Sequence, residues 1–213
     1  MRRIDPHLGQ VYIVDDDALL RRSLSFLLRT TGYSPRAFAS GQDFLDAAEA
    51  LSPGCVLLDV RMAKLDGPSV LRGLDDKLVK FAVITMTGHG DIDTAVQVMK
   101  LGSLDFIEKP FANTALLEML DMAFVTLSEQ LRKHALRSDV LLRLANLTPR
   151  EMDVLRSLVA GEPNKIIAHR LRLSARTVEM HRANLMTRLG VKSLAAAVHL
   201  ALVAGVIPPD KMR

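Results

Sequence analysis

Short apolar runs alternate with amphipathic stretches through the first half of the chain. Five runs of four or five residues have the length and composition of buried strands, at residues 11–14, 34–37, 55–58, 81–85 and 104–107. Helical periodicity occupies the stretches between them, at about residues 18–31, 41–50, 67–74 and 91–101. This alternation predicts a parallel sheet with helices on both of its faces.

The second half of the chain has a helical pattern throughout. Thr148, Pro149 and Glu151 form a helix start, with a capping residue, a proline at the first helical position and a capping-box partner. That helix is expected to end before Gly161. Three more helices are predicted at residues 165–171, at 175–189 after a Ser174 cap, and at 193–204. The two that flank the turn at 172–174 are typical of a helix-turn-helix.

Residues 113–146 contain no Gly and no Pro, which favours a helix over a flexible linker. Asn113 or Thr114 can cap its start. Apolar residues then recur at steps of three and four, in a stripe made by Leu117, Leu120, Phe124, Leu127 and Leu131. Two hypotheses are open: the stripe packs the last helix of the first domain onto its sheet, or the helix continues beyond that domain and offers a dimer seam.

The composition narrows the class of protein. The chain has 213 residues, of which 49% are hydrophobic, and a single cysteine, Cys55, which has no internal partner for a disulfide. The longest near-apolar stretch, residues 194–207, is interrupted by His199 and is too short to cross a bilayer. The first ten residues lack the apolar core of a signal peptide. We therefore expect a cytoplasmic protein without membrane contact.

The formal charge differs between the two halves. Residues 1–126 hold 13 Lys and Arg against 17 Asp and Glu, a net charge of −4, whereas residues 127–213 hold 15 against 7, a net charge of +8. A basic helical half next to an acidic half indicates different partners, and nucleic acid is the partner expected for the basic one.

Polar residues stand at the carboxyl ends of four predicted strands. Asp15 and Asp16 follow the first, Asp59 the third, Thr87 the fourth and Lys109 the fifth. Parallel strands bring these ends to one sheet edge, where ligands bind in such folds. Converging carboxylates repel one another unless a cation lies among them, and oxygen ligands of this kind suit Mg²⁺. The set predicts Mg²⁺-dependent phosphoryl transfer to an aspartate, the alternative being that acids after strands only cap helices.

The motifs VYIVDDD, LLDVRMAKLDG, VITMTGHGD and DFIEKPF resemble the receiver domain of bacterial response regulators. The resemblance implies a flavodoxin-like (βα)5 fold, with Asp59 as the phosphoacceptor for a sensor histidine kinase. Asp15, Asp16, Asp59 and the backbone carbonyl of Arg61 would hold Mg²⁺, while Thr87 and Lys109 would contact the phosphoryl group. It also implies a cis peptide before Pro110 and a switch role for Phe106. Ala63 stands where the family usually has proline, a change expected to loosen the loop.

Phosphorylation of Asp59 would add almost two negative charges and three acceptor oxygens. Thr87 and Lys109 would move toward this new partner. Their movement would shift the equilibrium between two arrangements of the fourth helix and fifth strand that lie within a few kcal/mol of each other. The candidate output face comprises residues 91–101 and 104–107. In this family the domain also hydrolyses its own acyl phosphate, but it has no separate substrate and is not classed as an enzyme.

The motifs LTPREMDVL and NKIIAHRLRLSARTVEMHRANLMTRLGV resemble the LuxR-type helix-turn-helix of the NarL/FixJ group, closest to its FixJ branch. Within 175–189, one stripe is expected to face the core and the opposite face to enter the major groove. The core stripe is Val178, Leu185 and Leu189, and the groove face is Arg176, Glu179, Met180, Ala183 and Thr187. Glu179 can accept from cytosine, and Met180 and Ala183 can meet a thymine methyl group. Predicted phosphate contacts are Lys165, Arg176, Thr177, Arg182, Arg188 and Lys192.

These features together predict a receiver domain at residues 8–125, a helical linker at 126–144 and a four-helix LuxR-type domain at 145–208. We expect a response regulator whose phosphorylation promotes dimerisation and sequence-specific binding to double-stranded DNA, with RNA polymerase as a further candidate partner. A phosphohydrolase with the same chemistry would need an acid two residues after the nucleophile, where Arg61 stands. A receiver that serves only as a dimerisation scaffold would be expected to lack one of the site residues, and all are present.

Overall fold

A computed structural model describes residues 9–88 and 92–209, with the backbone alone at Ile92. Position 8, the predicted start of the first domain, and Asp91, the predicted start of a helix, lie outside the described residues. The chain divides into two compact units between Arg132 and Lys133. This division falls inside one continuous helix, α5 (Asn113–Ala145), so that helix contributes residues to both units.

The first unit is built on a five-stranded parallel sheet of order β2-β1-β3-β4-β5. Its strands are β1 (Gln10–Val14), β2 (Ser34–Phe38), β3 (Gly54–Asp59), β4 (Phe81–Thr87) and β5 (Asp105–Glu108). The helices between them are α1 (Ala18–Thr30), α2 (Gly41–Ala48), α3 (Gly67–Leu74) and α4 (Ile92–Lys100), and a 3-10 helix (Asp75–Lys80) precedes β4. The predicted flavodoxin-like fold is confirmed.

Four strands are longer than the apolar pattern predicts, and two of them, β3 and β4, extend through a predicted site residue. Asp59 is the last residue of β3 and Thr87 the last of β4, where the sequence had placed both residues after their strands. The reason is that the ladder continues past the apolar run, since Asp59 pairs with Met86 and Thr87 with Glu108. The 3-10 helix was not predicted either, because its sequence, DDKLVK, carries no helical apolar period.

Apolar clusters cover both faces of the sheet, and the stripe on α5 belongs to one of them. Leu120, Phe124 and Leu127 are buried in the cluster that also contains Leu24 and Leu28 of α1, and Leu117 and Leu131 pack at its edge. The first hypothesis for the stripe is thus confirmed. The second is confirmed in that the helix continues past the stripe to Ala145. The buried Leu120, Phe124 and Leu127 leave a dimer seam to form only through other residues of the helix. Burial of the stripe holds α5 on the sheet.

The second unit contains the end of α5 and four further helices, α6 (Pro149–Val159), α7 (Asn164–Leu171), α8 (Ala175–Leu189) and α9 (Leu194–Val203). The predicted capping box at Thr148 and Glu151 is present, and Ser174 caps α8. Val178, Leu185 and Leu189 are buried with Val140 and Leu144 of α5, which confirms the predicted core stripe of α8. The turn between α7 and α8 uses Arg172 in the left-handed conformation.

Within the described residues, no single helix is long and apolar enough to cross a membrane, and only α8 and α9 taken together, bent by 62°, meet that test of length and composition.

Candidate functional site

The order of the strands brings three predicted site residues to one edge of the sheet. Asp15 follows β1, Asp59 ends the neighbouring β3, and Lys109 follows β5. The Lys109 Nζ lies 2.8 Å from Asp15 Oδ2 and 3.0 Å from Asp59 Oδ1, so one ammonium bridges both carboxylates. Asp15 is fully buried and Asp59 almost so. The peptide bond between Lys109 and Pro110 is cis, as the family resemblance implied.

The pKa values of Asp59 and Lys109 reflect both their burial and the charges around them. Burial raises the pKa of the Asp59 carboxyl above its ordinary value of 3.8, and the Asp15 charge adds to the rise, while Lys109 and the Arg61 backbone oppose it. Burial alone would lower the pKa of Lys109, but its hydrogen bonds with Asp15 and Asp59 outweigh this and raise it above 10.5. Lys109 therefore stays charged at neutral pH.

The same edge carries a group of oxygen ligands that fits a divalent cation. Asp15, Asp16 and Asp59 each offer a carboxylate oxygen, and the three oxygens lie within 4.8 Å of one another. Three hard donors, two of them on buried residues, suit Mg²⁺ better than a soft metal. The repulsion among three carboxylates is the physical reason to expect a cation here.

Ala63 has a role that the sequence did not indicate. Its backbone N–H donates to Asp16 Oδ2 at 2.9 Å, which ties the loop after β3 to one of the candidate metal ligands. A proline at this position would have no N–H to donate. The expected loosening of the loop is therefore offset by a hydrogen bond that only a non-proline residue can make.

Two further residues shape the site and were missed by sequence reasoning. Arg21 on α1 donates from Nη1 to the backbone carbonyl of Asp15 at 2.6 Å, although in the sequence it is one arginine of an amphipathic helix. At Gly67 an added Cβ would lie 2.9 Å from Val60 Cα and 3.0 Å from the Asp59 carbonyl oxygen. Only glycine fits this approach of α3 to the end of β3.

The predicted switch residues lie on the neighbouring strands. Thr87 is buried at the end of β4, and its carbonyl accepts from the backbone N–H of Lys109 at 2.8 Å. Phe106 on β5 is 45% exposed, although an aromatic residue on a strand is expected to be core. Val96 and Met99 of α4 are exposed too, so the candidate output face presents apolar side chains. A cleft lined in part by Asp16, Ala63 and Thr94 opens beside the acids.

The exposed face of α8 has the composition predicted for a nucleic-acid interface. Arg176, Glu179, Met180, Ala183 and Thr187 are all exposed, opposite the buried stripe. Asn184 is exposed as well and was not among the predicted readers. Its amide is the kind of group that pairs with adenine in the major groove.

The other predicted DNA contacts have different environments. Lys165, near the start of α7, and Lys192, in the turn after α8, are exposed. Arg182 is half-buried and donates to the Asn164 side chain at the start of α7, which links the two helices of the helix-turn-helix. The Thr177 hydroxyl is within 2.8 Å of the Ser174 hydroxyl, inside the cap of α8.

Arg188 is engaged with its own domain. Its Nε lies 3.2 Å from Oε2 of Glu151, a buried carboxylate at the start of α6, and its Nη1 donates to the Asn146 carbonyl at 3.0 Å. Burial alone would raise the pKa of Glu151. Hydrogen bonds from Thr148 and the charges of Arg188 and His181 reverse this and lower the pKa below its ordinary 4.5.

Two family models match the chain, one within each of its two units. Residues 11–121 match the model of the response regulator receiver domain, and residues 145–201 match that of the bacterial regulatory proteins of the luxR family. Transcriptional regulatory protein FixJ of Bradyrhizobium diazoefficiens is 43% identical over 199 residues, which cover 93% of this chain and 97% of FixJ.

Solved structures resemble the chain over the same extent. Full-length FixJ from B. japonicum is 43% identical, with a TM-score of 0.57, over 93% of this chain and 98% of that one. The response regulator StyR is 34% identical, with a TM-score of 0.72, over 91% of this chain and 98% of that one.

Proposed function

The chain belongs to the response regulators that carry a receiver domain followed by a LuxR-family DNA-binding domain, and from this premise we propose that Asp59 is its phosphoacceptor. Family membership makes it a transcriptional regulator controlled by phosphorylation, with a sensor kinase and DNA as partners. The observation that supports Asp59 is its position at the sheet edge, 3.0 Å from the Lys109 ammonium and beside two further acids. The domain bounds proposed are those predicted, 8–125, 126–144 and 145–208, with the two ends of the linker helix packed into the core of the unit next to each.

The proposed chemistry is transfer from a phosphohistidine of the kinase. An oxygen of the Asp59 carboxylate attacks the phosphorus, an O–P bond forms, and the P–N bond breaks as its electron pair returns to the imidazole. Lys109 keeps its positive charge beside Asp59 and would pair with the new phosphoryl oxygens. Hydrolysis of the acyl phosphate by the domain itself is part of the same proposal, with water as the acceptor.

Mg²⁺ is the proposed cofactor. Asp15, Asp16 and Asp59 would hold it, with the backbone carbonyl of Arg61. When bound, it would neutralise carboxylate charge and the charge that develops on the transferred group. The Ala63 N–H keeps Asp16 near the cluster, and Arg21 holds the backbone of Asp15.

Phosphorylation is proposed to act through Thr87 and Phe106 and to promote pairing of two receiver domains. Thr87 lies at the end of β4, and its backbone carbonyl accepts a hydrogen bond from the backbone N–H of Lys109. A shift of Thr87 or Lys109 toward a phosphoryl group would alter the adjacent α4–β5 face. The exposed apolar residues of this face include Val96, Met99 and Phe106. Exposed apolar side chains of this kind favour association.

DNA recognition is proposed for α8. Glu179, Met180 and Ala183 would contact bases. Arg176, near the start of the helix, would contact the sugar-phosphate backbone of the DNA. Further phosphate contacts would come from Lys165, Thr177, Arg182 and Lys192. The outcome proposed is activation of transcription in the cytoplasm, with RNA polymerase as a further partner.

The test of the phosphoacceptor is uptake of a phosphoryl group from acetyl phosphate, followed by intact-protein mass spectrometry. Wild-type protein is expected to gain one acid-labile phosphoryl group when Mg²⁺ is present, and Asp59→Ala to gain none. Asp46→Asn on the exposed surface of α2 serves as the matched control and should behave as wild type. Mg²⁺-dependent phosphate on the Asp59→Ala protein would show that another residue is the acceptor.

A further inference from the structure

The sequence predicts a phosphate contact for Arg188, but its contacts indicate a different task. Its guanidinium joins three segments of the second unit: the end of α5 through the Asn146 carbonyl, the start of α6 through Glu151, and α8, on which it lies. Glu151 is almost fully buried, and its Oε2 also accepts the backbone N–H of Thr148 at 2.8 Å. Arg188 is therefore the cation that compensates a buried carboxylate.

Arg143 makes the reciprocal contact. It lies in the last turn of α5, and its Nη1 donates to the carbonyl of Leu189, the last residue of α8, at the long distance of 3.4 Å. Its Nη2 forms an ion pair with Asp139 at 2.9 Å. The chain turns away at Gly190, which has a φ of 68° in the left-handed region. The carboxyl ends of α5 and α8 thus lie together, and each contributes an arginine to a carbonyl at or just beyond the end of the other helix.

This crossed arrangement has a physical basis. The last carbonyls of a helix have no partner within the helix, and the carboxyl end carries a partial negative charge. A guanidinium satisfies both needs and has enough N–H groups to reach two acceptors at once. The buried contacts of Val140 and Leu144 with the core of the unit hold the same helix ends together from the apolar side.

We propose that Arg188 and Arg143 are positioning residues that fix α8 to the end of α5 and the start of α6, and that Arg188 makes no essential contact with DNA phosphate. The inference rests on the proposed role of α8 in DNA recognition. It assigns Arg188, Arg143 and Glu151 to one device that sets the orientation of α8 within its domain.

The test is the salt dependence of DNA binding by the full-length protein treated with beryllofluoride and Mg²⁺. The probe is a 30-bp duplex selected by wild-type protein from a randomised pool. Each phosphate contact contributes about 0.9 to the slope of log Kobs against log[salt]. Arg176→Ala, at the exposed start of α8, is the matched control and should lower the slope by about that amount.

For Arg188→Ala we expect binding about 10-fold weaker, with the slope of wild-type protein. DNA binding by Arg188→Lys should be weakened as well, because a lysine ammonium cannot contact Glu151 and Asn146 together as the guanidinium of Arg188 does. Glu151→Gln should show the same loss at unchanged slope, although this buried residue is out of reach of DNA. Arg143→Ala should show a smaller loss, in keeping with its longer hydrogen bond.

A slope lowered by about 0.9 in Arg188→Ala, together with full affinity in Arg188→Lys, would make Arg188 a phosphate contact and overturn the proposal. Folding is checked separately by a thermal double-mutant cycle of Arg188→Ala and Glu151→Gln, in which the double variant should be more stable than the two losses combined predict. Independent, additive losses would also overturn it. Failure of wild-type protein to select any duplex would instead refute the proposed function and leave the thermal cycle as the test of the pair.

Discussion

At the scale of single residues, the carboxylates proposed to accept a phosphoryl group and to hold a cation also lower the stability of the folded protein. Asp15 and Asp59 are buried next to each other, and Lys109 is the ammonium that bridges them. The raised pKa of Asp59 means that the folded protein binds its proton more tightly than the unfolded chain does. Its charge therefore costs stability at neutral pH, a cost that disappears once the pH falls below the ordinary value of 3.8.

We predict that Asp59→Asn stabilises the metal-free protein at pH 7, because one of three converging negative charges is removed while Lys109 keeps its contact with Asp15. A rise of roughly 4 °C in the melting midpoint of the receiver would correspond to about 1 kcal/mol for a domain of this size. The gain should fade toward pH 3.

Thermal denaturation with and without Mg²⁺ measures both effects. Mg²⁺ at about 100 times its dissociation constant should stabilise wild-type protein by about 2.7 kcal/mol, and Asp59→Asn by clearly less, since one ligand is lost. Asp46→Asn should follow wild type in both conditions. A less stable Asp59→Asn protein at pH 7 would mean that the ion pair with Lys109 outweighs burial and repulsion.

At the scale of elements, α5 shows why a periodic stripe does not by itself identify its partner. Leu120 and Leu127 are fully buried against the sheet side of the first unit, whereas Met122 and Val125 on the same helix are 68% and 52% exposed. An apolar repeat with steps of three and four is the same for a helix that packs on a sheet and for one that pairs with a second copy. The neighbouring α1 decides between them, because its Leu24 and Leu28 contribute to the cluster around the stripe.

Leu127→Ala should therefore destabilise the receiver by about 2–5 kcal/mol, the usual cost of a cavity at a fully buried leucine. Met122→Ala, on the exposed side of the helix, is the matched control and should change stability by less than about 0.5 kcal/mol. Denaturant unfolding measures both changes, and light scattering should find the same oligomeric state in the two variants. Loss of pairing in Leu127→Ala without loss of stability would restore the dimer seam.

At the scale of the whole molecule, two units of opposite charge share one helix. Residues 1–126 carry a net charge of −4 and residues 127–213 a net charge of +8, and the division between the units falls within α5 at Arg132 and Lys133. The acidic unit carries the phosphoacceptor candidate and the basic unit the DNA-binding helices. Control of one by the other is what family membership establishes, and pairing of receivers is the proposed route.

We expect a monomer in Mg²⁺ that becomes a dimer on addition of beryllofluoride, because a phosphoryl mimic at Asp59 would change the exposed α4–β5 face. Light scattering gives the mass directly, and Asp59→Ala should remain monomeric in both conditions. A dimer before and after addition would leave the DNA-binding assignment intact. It would, however, show that phosphorylation reorients a standing dimer, whose contacts must lie outside the buried stripe of α5.

The sequence alone predicted the five strands, the α-helices and the residues that meet at the sheet edge, because strand ends, caps and motifs are local patterns; the 3-10 helix, which has no apolar period, was not among them. Asp15, Asp59 and Lys109 could be assigned to one edge since parallel strands align their carboxyl ends, and the Thr148 capping box followed from four residues. Contacts between segments distant in the chain were decided only by the tertiary structure. The Ala63 N–H on Asp16, Arg21 on the Asp15 carbonyl and Arg188 on Glu151 depend on where side chains and loops meet after packing, and no spacing in the sequence encodes that distance.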